Sequence, residues 1–212
     1  MTRPVFWDVD TQRDFMEPDG ALYVPGAEAI VDNLRRLTDY ARAHHITVVA
    51  SVCDHAPGDA ELSATPDFRT TFPPHCLHGS HGQEKIPVTR LDDAVVIENR
   101  AYADAELRAL LPARGGGIVI RKQALDVFTN PATATVVRLL DPDPVVVYGV
   151  ATEHCVDLAV MSLLRAGRRV YCVEDAVRPI DASAGARCAA HWTRTGAVLL
   201  TTAAIVDARA LG

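Results

Sequence analysis

No run of Lys/Arg occurs in this chain, and no basic stripe interleaved with aromatics. With a net charge of −6, it lacks the electrostatic footprint of a nucleic-acid binder. No apolar stretch is long enough to cross a bilayer. Met1 to Pro4 lead straight into a strand-like run, without a charged segment followed by a long apolar one, so neither a membrane partner nor a secretory signal is expected. The five cysteines (Cys53, Cys76, Cys155, Cys172, Cys188) are odd in number and unpaired in spacing. A disulfide framework is therefore not expected; reduced thiols in a cytoplasmic protein are. Gly115-Gly116-Gly117 precedes a strand instead of following one and lacks the GxGxxG pattern, so it reads as a turn and implies no nucleotide cofactor. Internal repeats, low-complexity tracts and linkers are also missing, and residues 1–212 are expected to form one domain.

What remains is an ordinary globular composition, 49% apolar and 23% charged, with enough length to bury a full core. Strand-like runs fall at Val5–Val9, Thr47–Val52, Ala94–Glu98, Gly117–Arg121, Val145–Val150, Arg169–Val173 and Ala197–Thr201. Helical patterns lie between most of them; Ile30, Val31, Leu34, Leu37 and Ala41 recur at helical spacing. Asn130-Pro131 reads as an N-cap followed by Pro, opening a helix through about Leu140. Gly167 and Gly196 sit where helices would end. Alternation of this kind predicts an α/β fold: a three-layer Rossmann-like sandwich with a mainly parallel sheet of about six strands and helices on both faces. Cys53 to Asp92, rich in Pro, His and Gly, is the long exception, and loops of that length are usually functional.

Ligands bind such sheets beyond the carboxyl ends of the strands. Asp10 and Lys122 fall at that edge, and Cys155 lies in the turn after the Val145–Val150 strand. A thiol at a helix start is near unpaired N–H groups that favour thiolate, and Lys122 is a candidate cation for it. Cys155 is equally readable as a small buried residue. Asp10 is readable as a general base or as a cap of the next turn. Asp8 shares its face and is expected to be structural. His55 and His75 are candidate metal ligands, with Cys53, Asp59 and Glu61 as candidate partners, although the spacing is looser than in usual zinc motifs.

These residues also carry a resemblance. Asp10-Thr11-Gln12-Arg13-Asp14-Phe15 resembles the D-x-Q-x-D-F opening of the isochorismatase-like cysteine hydrolases. Arg121-Lys122 is similar to their strand-end lysine. Gly149-Val150-Ala151-Thr152-Glu153-His154-Cys155-Val156, with Ala166-Gly167 after it, is similar to their nucleophile segment. Phe72-Pro73-Pro74-His75-Cys76 with Gly79-Ser80 resembles the W-P-P-H-C-x-x-G-T segment of nicotinamidases. The resemblance implies a triad of Asp10, Lys122 and Cys155 acting through a thioester. It implies an oxyanion hole from the N–H groups of Ala151 and Cys155, with a cis peptide between Val150 and Ala151. Phe15, Phe72 and Phe128 become the expected apolar walls. It also implies one divalent metal, zinc or iron, held by His55 and His75 with Cys53, which stands where nicotinamidases often carry an acid. A small amide, nicotinamide first and a carbamoyl or ureido compound second, is the implied partner. A homo-oligomer is compatible with the chain.

Two rivals stand beside this. Asp8-Val9-Asp10-Thr11 is similar to the D-x-D opening of haloacid-dehalogenase-type phosphatases, with Lys122 and Glu174-Asp175 in later roles; Gln12 departs from that pattern. A family member that binds without turnover is the other.

Overall fold

The computed structural model of the chain describes residues 3–207. Seven strands form one parallel sheet: β1 Val5–Val9, β2 Thr47–Cys53, β3 Val95–Ile97, β4 Gly117–Lys122, β5 Val145–Val150, β6 Val170–Arg178 and β7 Val198–Leu200, in the order β3-β4-β2-β1-β5-β6-β7. The expected count of about six is one short; the edge strands β3 and β7 have three residues each. The central strands β1, β2 and β5 are buried along their whole length. That is why they read as near-continuous apolar runs instead of alternating ones.

The helices are α1 Arg13–Met16, α2 Val31–Ala43, α3 Asp104–Leu110, α4 Thr133–Leu140, α5 Asp157–Arg165, α6 Ala182–Thr195 and α7 Thr202–Val206. Two cores lie on opposite faces of the sheet. Val5, Trp7 and Val9 of β1 join Leu107, Val136, Val160, Leu163 and Trp192 from α3, α4, α5 and α6. Phe6, on the other face of the same strand, joins Met16, Leu34, Leu37 and Ile205 from α1, α2 and α7. The period of two along β1 thus feeds both layers. Gly167, past the end of α5, and Gly196, capping α6, both have positive φ, as the sequence predicts. No helix among the described residues is long and apolar enough to cross a membrane.

The segment after Asn130 follows expectation with a start two residues later. A short 3-10 turn covers Val127–Thr129 and α4 begins only at Thr133. Asn130 caps the turn and does a second job as well. Its Oδ1 accepts from the Ala132 N–H, and its Nδ2 donates to the carbonyls of Glu98 and Arg121, tying the ends of β3 and β4 together.

The long loop after β2 lies across the carboxyl edge of the sheet, held by residues of the opening motif. Gln12 donates to the Cys53 carbonyl (2.8 Å) and accepts from the Cys53 N–H (2.7 Å), and donates again to the Gln83 carbonyl (2.8 Å). Asp14 accepts from the N–H groups of Cys76 (2.6 Å) and Ala21 (3.0 Å). Lys85 pairs with Asp8 at 2.8 Å and donates to Thr11. Charge-assisted bonds of this kind are among the stronger side-chain ties. They seat the loop over the strand ends, where the candidate residues gather.

Candidate active site

Asp10 sits one residue beyond β1 in the left-handed region, φ 50°, which Asp tolerates better than most residues. Lys122 ends β4. Cys155 lies in the π-turn Thr152–Val156, where the Ala151 carbonyl accepts from the N–H groups of His154 and Val156 and leaves that of Cys155 aside. The Val150–Ala151 peptide is cis. Gly149, at φ 121°, brings β5 so close to β1 that a Cβ there would lie 2.1 Å from the Val9 carbonyl oxygen.

The three side chains meet in a buried cluster. Lys122 Nζ is 3.0 Å from Asp10 Oδ2 and 3.5 Å from Cys155 Sγ. It also donates to the Ala124 carbonyl (3.0 Å) and to Cys53 Sγ (3.1 Å). Ser51 donates to Asp10 Oδ1 at 2.7 Å. Asp10 Oδ2 meets Lys122 as an ion pair, and the Cys155 thiol is a further partner of the Asp10 carboxylate.

Burial pushes the Cys155 thiol well up; Lys122 opposes this and Asp10 adds to it. These surroundings favour the protonated thiol. Burial acts against the Lys122 ammonium, but Asp10, Cys155, Cys53 and Glu61 outweigh it and hold the ammonium well above its ordinary range.

A narrow cleft opens above the cluster. Phe15, Phe72, Leu125 and Ile180 wall it, and Cys53, Glu61, His75, His154, Ala151 and Cys155 supply its other contacts. Phe128 does not line this cleft and is a correction to the expected walls. Its ring lies flat against Trp7, centroids 6.1 Å apart, beside the core under α4 and α5. The turn Val127–Thr129 directs it to the layer opposite Phe15.

Cys53, His55 and His75 bring one ligand atom each within 4.8 Å of one another. His55 is fully buried, and neither ring nitrogen has a hydrogen-bond partner. His75 Nδ1 lies 2.8 Å from the Pro73 carbonyl, which can only accept, so Nε2 carries the free lone pair. Burial, then His75 and Lys122, push His55 down to about 4; burial also lowers His75. Both rings are thus neutral, the form that ligates. One orphaned imidazole, a second with a free Nε2 lone pair, and a sulfur beside them fit a divalent ion such as zinc. Glu61 Oε1 is 3.9 Å from His75 Nε2, and Asp59 Oδ2 is 3.4 Å from His55 Nδ1; neither belongs to the close group. Burial raises the Glu61 carboxyl.

The phosphatase rival finds no support. Asp8 is buried, and its two oxygens are taken by Lys85 and Thr11. Burial raises its carboxyl above the usual range. Asp175 Oδ1 accepts from the N–H and hydroxyl of Thr202 at the start of α7, and Glu174 is exposed. Ser51 escaped the sequence reading, although a hydroxyl inside the apolar run Val48–Val52 was its signal.

The Isochorismatase domain model matches residues 8–115 and 102–204 of the chain. A nicotinamidase/pyrazinamidase from Mycobacterium tuberculosis is 34% identical over 179 residues, covering 82% of this chain and 86% of that protein. A pyrazinamidase of Pyrococcus horikoshii, solved in complex with zinc, superposes with a TM-score of 0.73 at 24% identity over 94% of this chain and 99% of that one. A protein from L. infantum, solved in complex with nicotinate, gives 0.73 at 23% identity over 96% and 94%. The last two share the fold. The chain belongs to the isochorismatase family.

Proposed function

We propose that the chain is a cysteine-dependent amidohydrolase that converts nicotinamide to nicotinate and ammonia, with Cys155 as nucleophile. The observation that carries this reading is the contact of Lys122 with both Asp10 and Cys155, buried at the floor of an aromatic-walled cleft. The 34% identical relative is called a nicotinamidase/pyrazinamidase, which favours a flat ring amide over a ureide. Phe15 and Phe72 offer such a ring apolar faces. One domain over residues 1–212 is part of the proposal, supported by the single sheet.

In this mechanism Asp10 takes the Cys155 proton, and the sulfur attacks the amide carbonyl carbon. The oxyanion forms toward the N–H groups of Ala151 and Cys155. Asp10 returns the proton to the leaving nitrogen, the C–N bond breaks, and ammonia departs from a thioester. Water then attacks, giving its proton to Asp10; the C–S bond breaks and the thiol is restored. Lys122 keeps the carboxylate and the sulfur in register throughout. Cys53, His55 and His75 would hold a divalent ion, which supplies a Lewis-acid anchor for the substrate ring nitrogen.

The test is ammonia release from nicotinamide, pyrazinamide and an N-carbamoyl amino acid. Turnover of the ring amides, lost in Cys155→Ala, is expected. Turnover of the ureide alone would move the substrate class, and full activity of folded Cys155→Ala would overturn the mechanism.

A further inference from the structure

Glu153 stands two residues before Cys155, and its carboxylate grips a neighbouring loop by two consecutive main-chain groups. The Ile180 N–H donates to Oε2 at 3.2 Å and the Asp181 N–H to Oε1 at 2.7 Å. Hydrogen bonds to a charged acceptor are among the stronger ones, and two in a row fix the backbone between them. The same loop is held on its other sides. Asp181 caps α6, accepting from the Ala184 N–H at 2.6 Å. Gly185 of α6 lies so close to Pro179 that a Cβ there would meet the proline Cβ at 2.7 Å. Arg178, the last residue of β6, donates to the Pro25 carbonyl at 3.0 Å.

These ties converge on Ile180. It lines the cleft together with Ala151, His154 and Cys155, yet it is 45% exposed, whereas Phe15 and Phe72 are buried. Strand order explains its place. Cys53 ends β2, Ile180 lies two residues past β6, and β1 and β5 run between those strands. Ile180 therefore closes the cleft at its mouth, on the side away from Cys53. A branched apolar side chain in that position offers a ligand no hydrogen bond and discriminates by shape.

We propose that Ile180 is a specificity-determining residue that limits the size of ring the cleft accepts, and that Glu153 is the positioning residue that holds it there. The inference rests on the ring amide proposed above as substrate. A ring methylated on the edge that faces Ile180 meets its side chain before the amide carbon reaches Cys155 Sγ. One carbon more or less in an apolar pocket is worth roughly 10- to 200-fold in kcat/KM.

Nicotinamide and its ring-methylated isomers, one for each open ring carbon, are compared by kcat/KM from ammonia release. Both rates come from one protein, so a general loss of activity cancels in their ratio. Wild type should prefer nicotinamide. Ile180→Ala should relax that preference about tenfold or more for at least one isomer, and Ile180→Val, the milder change, should relax it less. Glu153→Ala should relax the same isomer, and Glu153→Gln, which keeps one acceptor, should fall between it and wild type. Glu153→Ala combined with Ile180→Ala should match Ile180→Ala alone, because one residue acts through the other. Equal turnover of every isomer by wild type, or unchanged ratios in the Ile180 variants, overturns the specificity role while nicotinamide hydrolysis stands. Relaxation in Ile180→Ala with none in Glu153→Ala overturns the positioning role. No turnover of nicotinamide or pyrazinamide by wild type overturns the substrate reading and this inference with it.

Discussion

Ser51 donates its hydroxyl to the Asp10 oxygen that faces away from Lys122, so the two carboxylate oxygens serve different partners, Oδ1 a hydroxyl at 2.7 Å and Oδ2 an ammonium at 3.0 Å. The strand register puts Ser51 beside Val9, one residue before Asp10. A carboxylate pinned at one oxygen presents the other in a fixed direction, as a general base must. Ser51→Ala should fold normally and lose roughly 10- to 100-fold in kcat, the worth of about 1–3 kcal/mol for a hydrogen bond to a charged group. Unchanged kcat in the alanine variant would remove Ser51 from the machinery.

The contacts among Asp10, Lys122 and Cys155 predict strong non-additivity. Asp10→Asn and Lys122→Met should each lower kcat by orders of magnitude, and the double variant should be little worse than either. Lys122→Met should also cost about 3–5 kcal/mol of stability, because it leaves the Asp10 charge buried and alone. The double variant removes that charge and should recover part of the loss, read from denaturant midpoints. Losses that multiply in kcat would mean the residues act separately.

Much of this was legible because parallel sheets gather function at one edge. Asp10, Lys122 and Cys155 stand at or just past the ends of β1, β4 and β5, and apolar runs mark such ends in a sequence. The Asn-Pro signal marks the start of α4 to within two residues, and Asn130 accepts from the Ala132 N–H as an N-cap does, but its bonds to the carbonyls of Glu98 and Arg121 are long-range and leave no local mark. Phe128 was misread for a related reason. A residue type names a candidate wall, but which sheet face it meets depends on a tight turn whose direction the sequence does not reveal. The partners of Gln12 and Asp14 lie 41 and 62 residues away, beyond any periodic pattern.

Phe72 and Phe128 should therefore separate cleanly. Phe72→Ala opens the cleft and should raise KM for a ring amide about tenfold, with some loss of stability because Phe72 is itself buried. Phe128→Ala strips the face of Trp7 and should cost about 2–4 kcal/mol, as for aromatic truncation in a core, with KM unchanged. The opposite pattern would return Phe128 to the substrate.

Gly149 carries a steric requirement. A Cβ there meets the Val9 backbone oxygen at 2.1 Å, and the glycine holds φ 121°. Neither β1 nor β5 can retreat without breaking ladder bonds to its neighbours. Gly149→Ala should cost about 3 kcal/mol or more, combining a disfavoured φ with the clash. An alanine variant with a wild-type urea midpoint would mean that the two strands separate easily.

The buried His55 gives the metal-free protein a specific acid sensitivity. Its folded value is pushed down to about 4, chiefly by burial, whereas the unfolded ring titrates near 6.5. Between these two values the unfolded chain binds a proton that the folded chain refuses. Stability from this residue is thus complete above about pH 6.5 and lost as pH falls toward 4. His75 is lowered in the same direction and adds to the loss. Carboxylates contribute their own acid dependence, so the informative quantity is a difference. Urea midpoints of metal-free wild type and His55→Gln should diverge most near neutral pH and converge as pH falls from 7 to 4. Parallel curves would show that His55 exchanges its proton as freely folded as unfolded, and that the imidazole is not held in the neutral, ligating form.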